Sequence, residues 1–184
     1  MTSQTFPVGG WKTRTVAIPR PLGKPALLRL RSRGPITTYF AEPWIDTAQE
    51  RSSFASLFQT WGRSWHPFVL PGRYTHLEVC KVRGNGVARW QLDRMPRSED
   101  VPPLRTTVVG HGTELFIWEG EHLEMRYEYA ARSGGLRFTH HAFDTGESLE
   151  MDRTGTQRGT VRMVGPGYLW VHSAPESDWT LQSV

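Results

Sequence analysis

His122-Leu123-Glu124-Met125-Arg126-Tyr127-Glu128-Tyr129 is apolar at every second position. Leu123, Met125, Tyr127 and Tyr129 share one side, and Glu124, Arg126 and Glu128 take the other. Successive side chains of a strand point to opposite faces, so this pattern predicts a half-buried strand rather than a helix. Working outward, Thr113 to Trp118, Leu136 to Phe143, Val161 to Val164, Tyr168 to Val171 and Trp179 to Leu181 read the same way. Turn-forming clusters separate them: Arg132-Ser133-Gly134-Gly135, Asp144-Thr145-Gly146, Arg153-Thr154-Gly155, Gly165-Pro166-Gly167 and Ala174 to Ser177. Short strands punctuated at this spacing predict an all-β antiparallel sandwich.

The chain has 184 residues, of which 38% are hydrophobic and 11% aromatic, enough to form a core. Its longest apolar runs, such as Phe68-Val69-Leu70, fall far short of the roughly 20 residues a membrane helix needs. The first ten residues carry no positive charge and no apolar stretch, so no export signal is read and a cytoplasmic location is expected. One cysteine, Cys80, excludes an internal disulfide and a cysteine-rich zinc module.

Charge is unevenly placed. Lys12, Arg14, Arg20, Lys24, Arg29, Arg31 and Arg33 all precede Glu42, the first acidic residue. Acid concentrates later, at Glu114, Glu119, Glu121, Glu124 and Glu128, with only Arg126 against it. A basic stripe for nucleic acid is one reading. The reading preferred is that basic N-terminal strands and acidic strands neutralise each other within one fold, so nucleic acid is not an expected partner.

The chain also matches itself. Phe138, Ala142-Phe143-Asp144-Thr145-Gly146 answers Phe40, Trp44-Ile45-Asp46-Thr47-Ala48. Val164-Gly165-Pro166-Gly167-Tyr168-Leu169-Trp170-Val171 answers Leu70-Pro71-Gly72-Arg73-Tyr74-Thr75-His76-Leu77, and Asp178-Trp179-Thr180-Leu181 answers Arg89-Trp90-Gln91-Leu92. Two tandem sandwich copies are therefore expected, over 11–95 and 106–184, with a linker at 96–105. The copy ending, an apolar–Pro/Gly–Gly–Tyr turn, an alternating strand and a Trp-x-Leu strand, resembles small bacterial jelly-roll-like β-sandwich modules of the pre-peptidase C-terminal type. The resemblance covers roughly the last 30 residues of each copy. It implies a jelly-roll fold and a non-catalytic binding role, with no catalytic residue to carry over.

Shared aromatics, Trp90 with Trp179 and Tyr74 with Tyr168, are expected core anchors. Trp61, Trp65, Trp118 and Trp170 lack an aromatic counterpart in the other copy, so the fold alone does not demand them. Phe54, Leu57, Phe58, Trp61 and Trp65 fall at helical spacing, and predict one short helix within 52–68 of the first copy. That helix either closes the sandwich or forms an aromatic platform. Trp61, Arg63, Trp65 and His66 are its candidate contact residues, joined by Trp118, Trp170 and the basic pair Arg29 and Arg31.

Catalytic patterns are sparse. Ala142-Phe143-Asp144-Thr145-Gly146 resembles the Asp-Thr-Gly signature of aspartic peptidases, with a weaker echo at Ile45-Asp46-Thr47-Ala48. That resemblance would make Asp144 and Asp46 a proton-sharing pair. Asp-Thr-Gly is equally an ordinary turn. Seven histidines show no metal-ligand spacing, and no cofactor loop is present. The expected role is a non-enzymatic module contacting a protein partner through its aromatic segment and basic N-terminal face. A carbohydrate-binding module is the alternative, and the peptidase reading is third.

Overall fold

The computed structural model describes residues 6–21, 23–33, 39–44, 58–59, 65–81, 89–95, 101–130, 135–145, 148–154, 158–173 and 177–184. The chain divides into two compact units, Met1–Glu99 and Asp100–Val184. Unit 1 contains β1 (Val8–Gly10), β2 (Arg14–Ala17), β3 (Ala26–Ser32), β4 (Tyr39–Trp44), β5 (Phe58–Gln59), β6 (His66–Leu70), β7 (His76–Lys81) and β8 (Trp90–Arg94). Unit 2 contains β9 (Thr107–His111), β10 (Glu114–Trp118), β11 (His122–Ala130), β12 (Gly135–Ala142), β13 (Ser148–Thr154), β14 (Arg158–Val164), β15 (Gly167–His172) and β16 (Asp178–Ser183). No helix occurs among the described residues.

Every ladder between these strands is antiparallel. Unit 1 forms one sheet in the order β1-β8-β3-β6 and another in the order β2-β7-β4-β5. Unit 2 forms β14-β11-β16-β9 and β10-β15-β12-β13. Raising each unit 1 strand number by eight reproduces both unit 2 orders. The final tryptophans hold matching places. Trp90 lies opposite Gly10 and donates its indole N–H to the Lys12 carbonyl at 3.0 Å. Trp179 lies opposite Gly110 and donates to the Gly112 carbonyl at 2.7 Å. A large indole fits over a strand only where the opposing residue has no side chain. A Cβ on Gly110 would fall 2.1 Å from the Trp179 ring.

The alternation of β11 behaves as its sequence predicts: Leu123, Met125, Tyr127 and Tyr129 are buried. They join Val161, Met163, Trp179 and Leu181 of the same sheet. Phe116, Leu136, Phe138, Leu169 and Val171 of the other sheet complete one hydrophobic cluster. Phe116 meets Trp179 edge-on at 5.9 Å, and Tyr127 meets Phe138 at 5.3 Å, so the two sheets of unit 2 pack face to face.

Three expectations need adjustment. The helix expected within 52–68 falls largely on residues outside those described. Where that stretch is described, Phe58–Gln59 pairs with β4 and His66–Leu70 pairs with β3, so strand pairing overrides the helical stripe there. Tyr168 to Val171 does not alternate: all four are buried, because β15 lies between β10 and β12 in its sheet and is itself buried on both faces. Residues 101–105, read as linker, are tied to β10. Leu104 donates to the Ile117 carbonyl at 2.8 Å, Ile117 donates back to Pro102 at 3.0 Å, and Val101 and Leu104 are buried.

Candidate interaction surface on unit 1

Strand β3 separates its side chains cleanly by chemistry. Leu28, Leu30 and Ser32 are fully buried, while Arg29 and Arg31 point from the opposite face and are half-buried. Antiparallel register then decides their neighbours. On β8, Asp93 stands opposite Arg29 and Gln91 opposite Arg31. Arg29 Nη2 donates to Asp93 Oδ2 at 2.9 Å, and its Nε donates at 3.3 Å. Arg31 donates to Gln91 Oε1 through Nε at 2.9 Å and Nη2 at 2.5 Å, and Arg33 Nε adds a third donor at 3.2 Å. Gly9 pairs with Gln91 on the far side and offers no side chain, so the Gln91 edge of the row is left low.

Trp65 closes the row from the β6 side. The Arg29 guanidinium lies 4.8 Å from its ring centroid and the Arg31 guanidinium 4.2 Å. Each contact is a cation–π interaction, contributing about 0.5–1 kcal/mol at an exposed site. Among the described residues, the face therefore brings three guanidiniums together with the Asp93 carboxylate, and an indole lies against two of the cations.

The structure thus brings together Arg29, Arg31 and Trp65 of the residues singled out in the sequence. His66 is half-buried and pairs with Leu30, which places it on the opposite face of the sheet from the arginines. Trp61, Arg63 and Asp46 lie outside the described residues. Trp118 is half-buried against the unit 2 core, and its buried indole N–H has no hydrogen-bond partner among the described residues. Trp170 is only 1% exposed, its ring 4.1 Å from His172 and 6.2 Å from His141, so it presents no surface to a partner. Asp144 is exposed in the turn after β12. Sequence reasoning missed Gln91 and Asp93. Their signal was the alternation Trp90-Gln91-Leu92-Asp93, whose polar members had to share a face.

Two members of the acidic stretch find counter-ions within unit 2. Glu124 pairs with Arg162 at 3.0 Å and Glu128 with Arg158 at 3.3 Å, both across the β11–β14 ladder. Neighbouring strands supply these counter-ions, because register places them directly opposite.

Histidines form a second concentration of polar groups. His140 and His141 on β12 and His172 on β15 are largely removed from solvent. Burial, then the charge of His140, pushes His141 down to about 3. Burial, then Arg137 and His141, pushes His172 down to about 3. The His141 and His172 rings are neutral at physiological pH, and burial also lowers His140. Among the described residues, no group of three metal-ligating side chains is assembled. No described helix is long and apolar enough to cross a membrane. No protein-family model matches the chain, and no curated protein matches it.

Proposed function

We propose that this chain is a non-enzymatic interaction module that docks an acidic protein partner on the Arg29–Arg31–Trp65 face. We further propose that it is built from two tandem jelly-roll-like copies. The shared strand order and the shared Trp–Gly–carbonyl arrangement support duplication. Eight strands in two four-stranded sheets are what a jelly roll contains.

The observation that carries the docking reading is the stacking of two guanidiniums on one indole. Arginine and tryptophan dominate interface energetics because both bury large area and fix direction. Arginines already held in place lose less freedom on binding. A face that presents the guanidiniums of Arg29, Arg31 and Arg33 together is complementary to an acidic partner surface. A sugar platform is less well served, because the guanidiniums occupy ring surface that a sugar would use.

The test is affinity purification from the source cells with wild-type, Trp65→Ala and Arg31→Glu proteins, each checked by circular dichroism. Wild type is expected to retain an acidic protein at stoichiometric yield, more weakly as salt rises. Both variants should lose that protein by tenfold or more. Equal recovery by folded Arg31→Glu protein overturns the reading. A glycan-dependent tryptophan fluorescence shift that disappears in Trp65→Ala would replace it with carbohydrate binding.

A further inference from the structure

The end of unit 1 between the β2–β3 and β6–β7 connections contains an arginine pair that the docking face does not use. Ile18 donates to the Thr75 carbonyl at 2.9 Å, which laces the two connections together. Arg20 follows in the segment Pro19-Arg20-Pro21. Its Nη2 donates to the carbonyls of Pro71, at 2.6 Å, and Tyr74. Its Nη1 is buried and has no hydrogen-bond partner among the described residues. A buried donor left unsatisfied carries the full cost of its desolvation, and more when it is charged.

A second cation stands beside it. Arg94 is the last residue of β8, and its exposed guanidinium donates to the Pro19 carbonyl and lies 5.0 Å from the Phe6 ring centroid. Burial, then repulsion from Arg94, draws Arg20 down to about 10. Among the described residues, no carboxylate bonds either guanidinium. Asp93, next to Arg94 in sequence, is committed to Arg29.

The fold does not require this pair. The Met95 N–H donates to Leu27 in unit 1 as the Val184 N–H donates to Glu124 in unit 2. That correspondence sets Arg94 against Ser183. The β10–β11 connection, which answers the one bearing Arg20, reads Glu119-Gly120-Glu121. Unit 2 closes the same end of its sandwich without either arginine.

We propose that Arg20 and Arg94 form a binding site for a phosphoryl dianion, as inorganic phosphate or the end group of a small phosphate monoester. Such a group carries about −1.5 to −2 charge near neutral pH and three acceptor oxygens, which answers two cations and an unpaired donor together. A carboxylate brings one charge and leaves one guanidinium uncompensated. The guanidinium fork matches phosphate oxygens in pairs. Binding would draw the exposed Arg94 side chain from the Pro19 carbonyl toward the ligand. This site is independent of the Arg29–Trp65 face, and either can fail alone.

The experiment compares melting midpoints of the full chain in inorganic phosphate and in chloride at matched ionic strength, with ³¹P line width as the direct readout. Wild type is expected to gain a saturable increment in phosphate and to broaden the phosphorus line. Sulfate, also a dianion, should compete, and acetate should not. Arg94→Gln should lose the increment and the broadening, while its midpoint in chloride stays level or rises because a like charge is gone. Arg94→Lys, which keeps the charge without the fork, should bind at least about tenfold more weakly. A purely structural Arg94 would lower the midpoint in both salts and leave the phosphate increment intact, and that result overturns the proposal. So does the absence of broadening with wild type. Should Arg94→Gln fail to fold, the lysine variant decides between the same two outcomes.

Discussion

Gly110 and Trp179 make one contact in two parts. The indole covers the place where a Cβ would stand, so Gly110→Ala forces ring or strand to move. Its counterpart Gly10 is looser, with the nearest Trp90 ring atom 3.0 Å from an added Cβ against 2.1 Å at Gly110. Gly110→Ala is expected to cost about 3 kcal/mol, the upper part of the range for overpacking, and Gly10→Ala about 1 kcal/mol or less. Urea midpoints of the two variants check the order, and a larger loss at Gly10 would contradict the geometry. The tryptophans were legible as core anchors from their repeated Trp-x-Leu setting. Their glycine partners were not, because Gly10 and Trp90 lie 80 positions apart and meet only through the β1–β8 ladder.

Strands β12 and β15 show how an element responds to what surrounds it. His141 is 1% exposed and its pKa falls to about 3, well below its ordinary 6.5. The folded state therefore holds the neutral ring, whereas the unfolded chain takes up a proton near pH 6.5. The stability tied to this preference is fully present above pH 6.5 and is lost as pH falls from there toward 3. The loss approaches about 1.4 kcal/mol per pH unit for one such residue. His141→Gln removes the titration, so the stability gap between wild type and variant should shrink by about 2 kcal/mol between pH 7 and pH 5. An unchanged gap, measured by urea unfolding at the two pH values, would mean the ring is protonated in the folded state. The pairs Glu124–Arg162 and Glu128–Arg158 are exposed, so Arg162→Gln should leave the urea midpoint unchanged within error. Alternation identified β11 and β16 directly. It misjudged β15, because Tyr168-Leu169-Trp170-Val171 is apolar throughout and period alone does not reveal a second buried face.

At the scale of the whole molecule, the same strand order written twice makes a quantitative demand. Trp90→Phe and Trp179→Phe each leave a backbone carbonyl without its indole donor, so each should cost about 2 kcal/mol. The two losses should agree within about 1 kcal/mol, as read from unfolding curves, and a neutral result at one site would separate the roles of the two tryptophans. Pairing also corrects the internal match. Trp90 stands against Ser32 and Trp179 against Tyr129, and carrying those registers across β3 and β11 aligns Leu70 with Met163, one residue from Val164. The slip arises in the turns: Tyr74 precedes β7, whereas Tyr168 lies inside β15. Period and turn chemistry are local properties, so the order of residues alone determined that this chain forms short antiparallel strands with named apolar faces. Which strands became neighbours was decided by the tertiary structure. Arg29 meets Asp93 across 64 positions and Arg20 meets Tyr74 across 54. Contacts at such separation depend on strand order and register, which are set when whole sheets pack and not by any stretch of sequence read by itself.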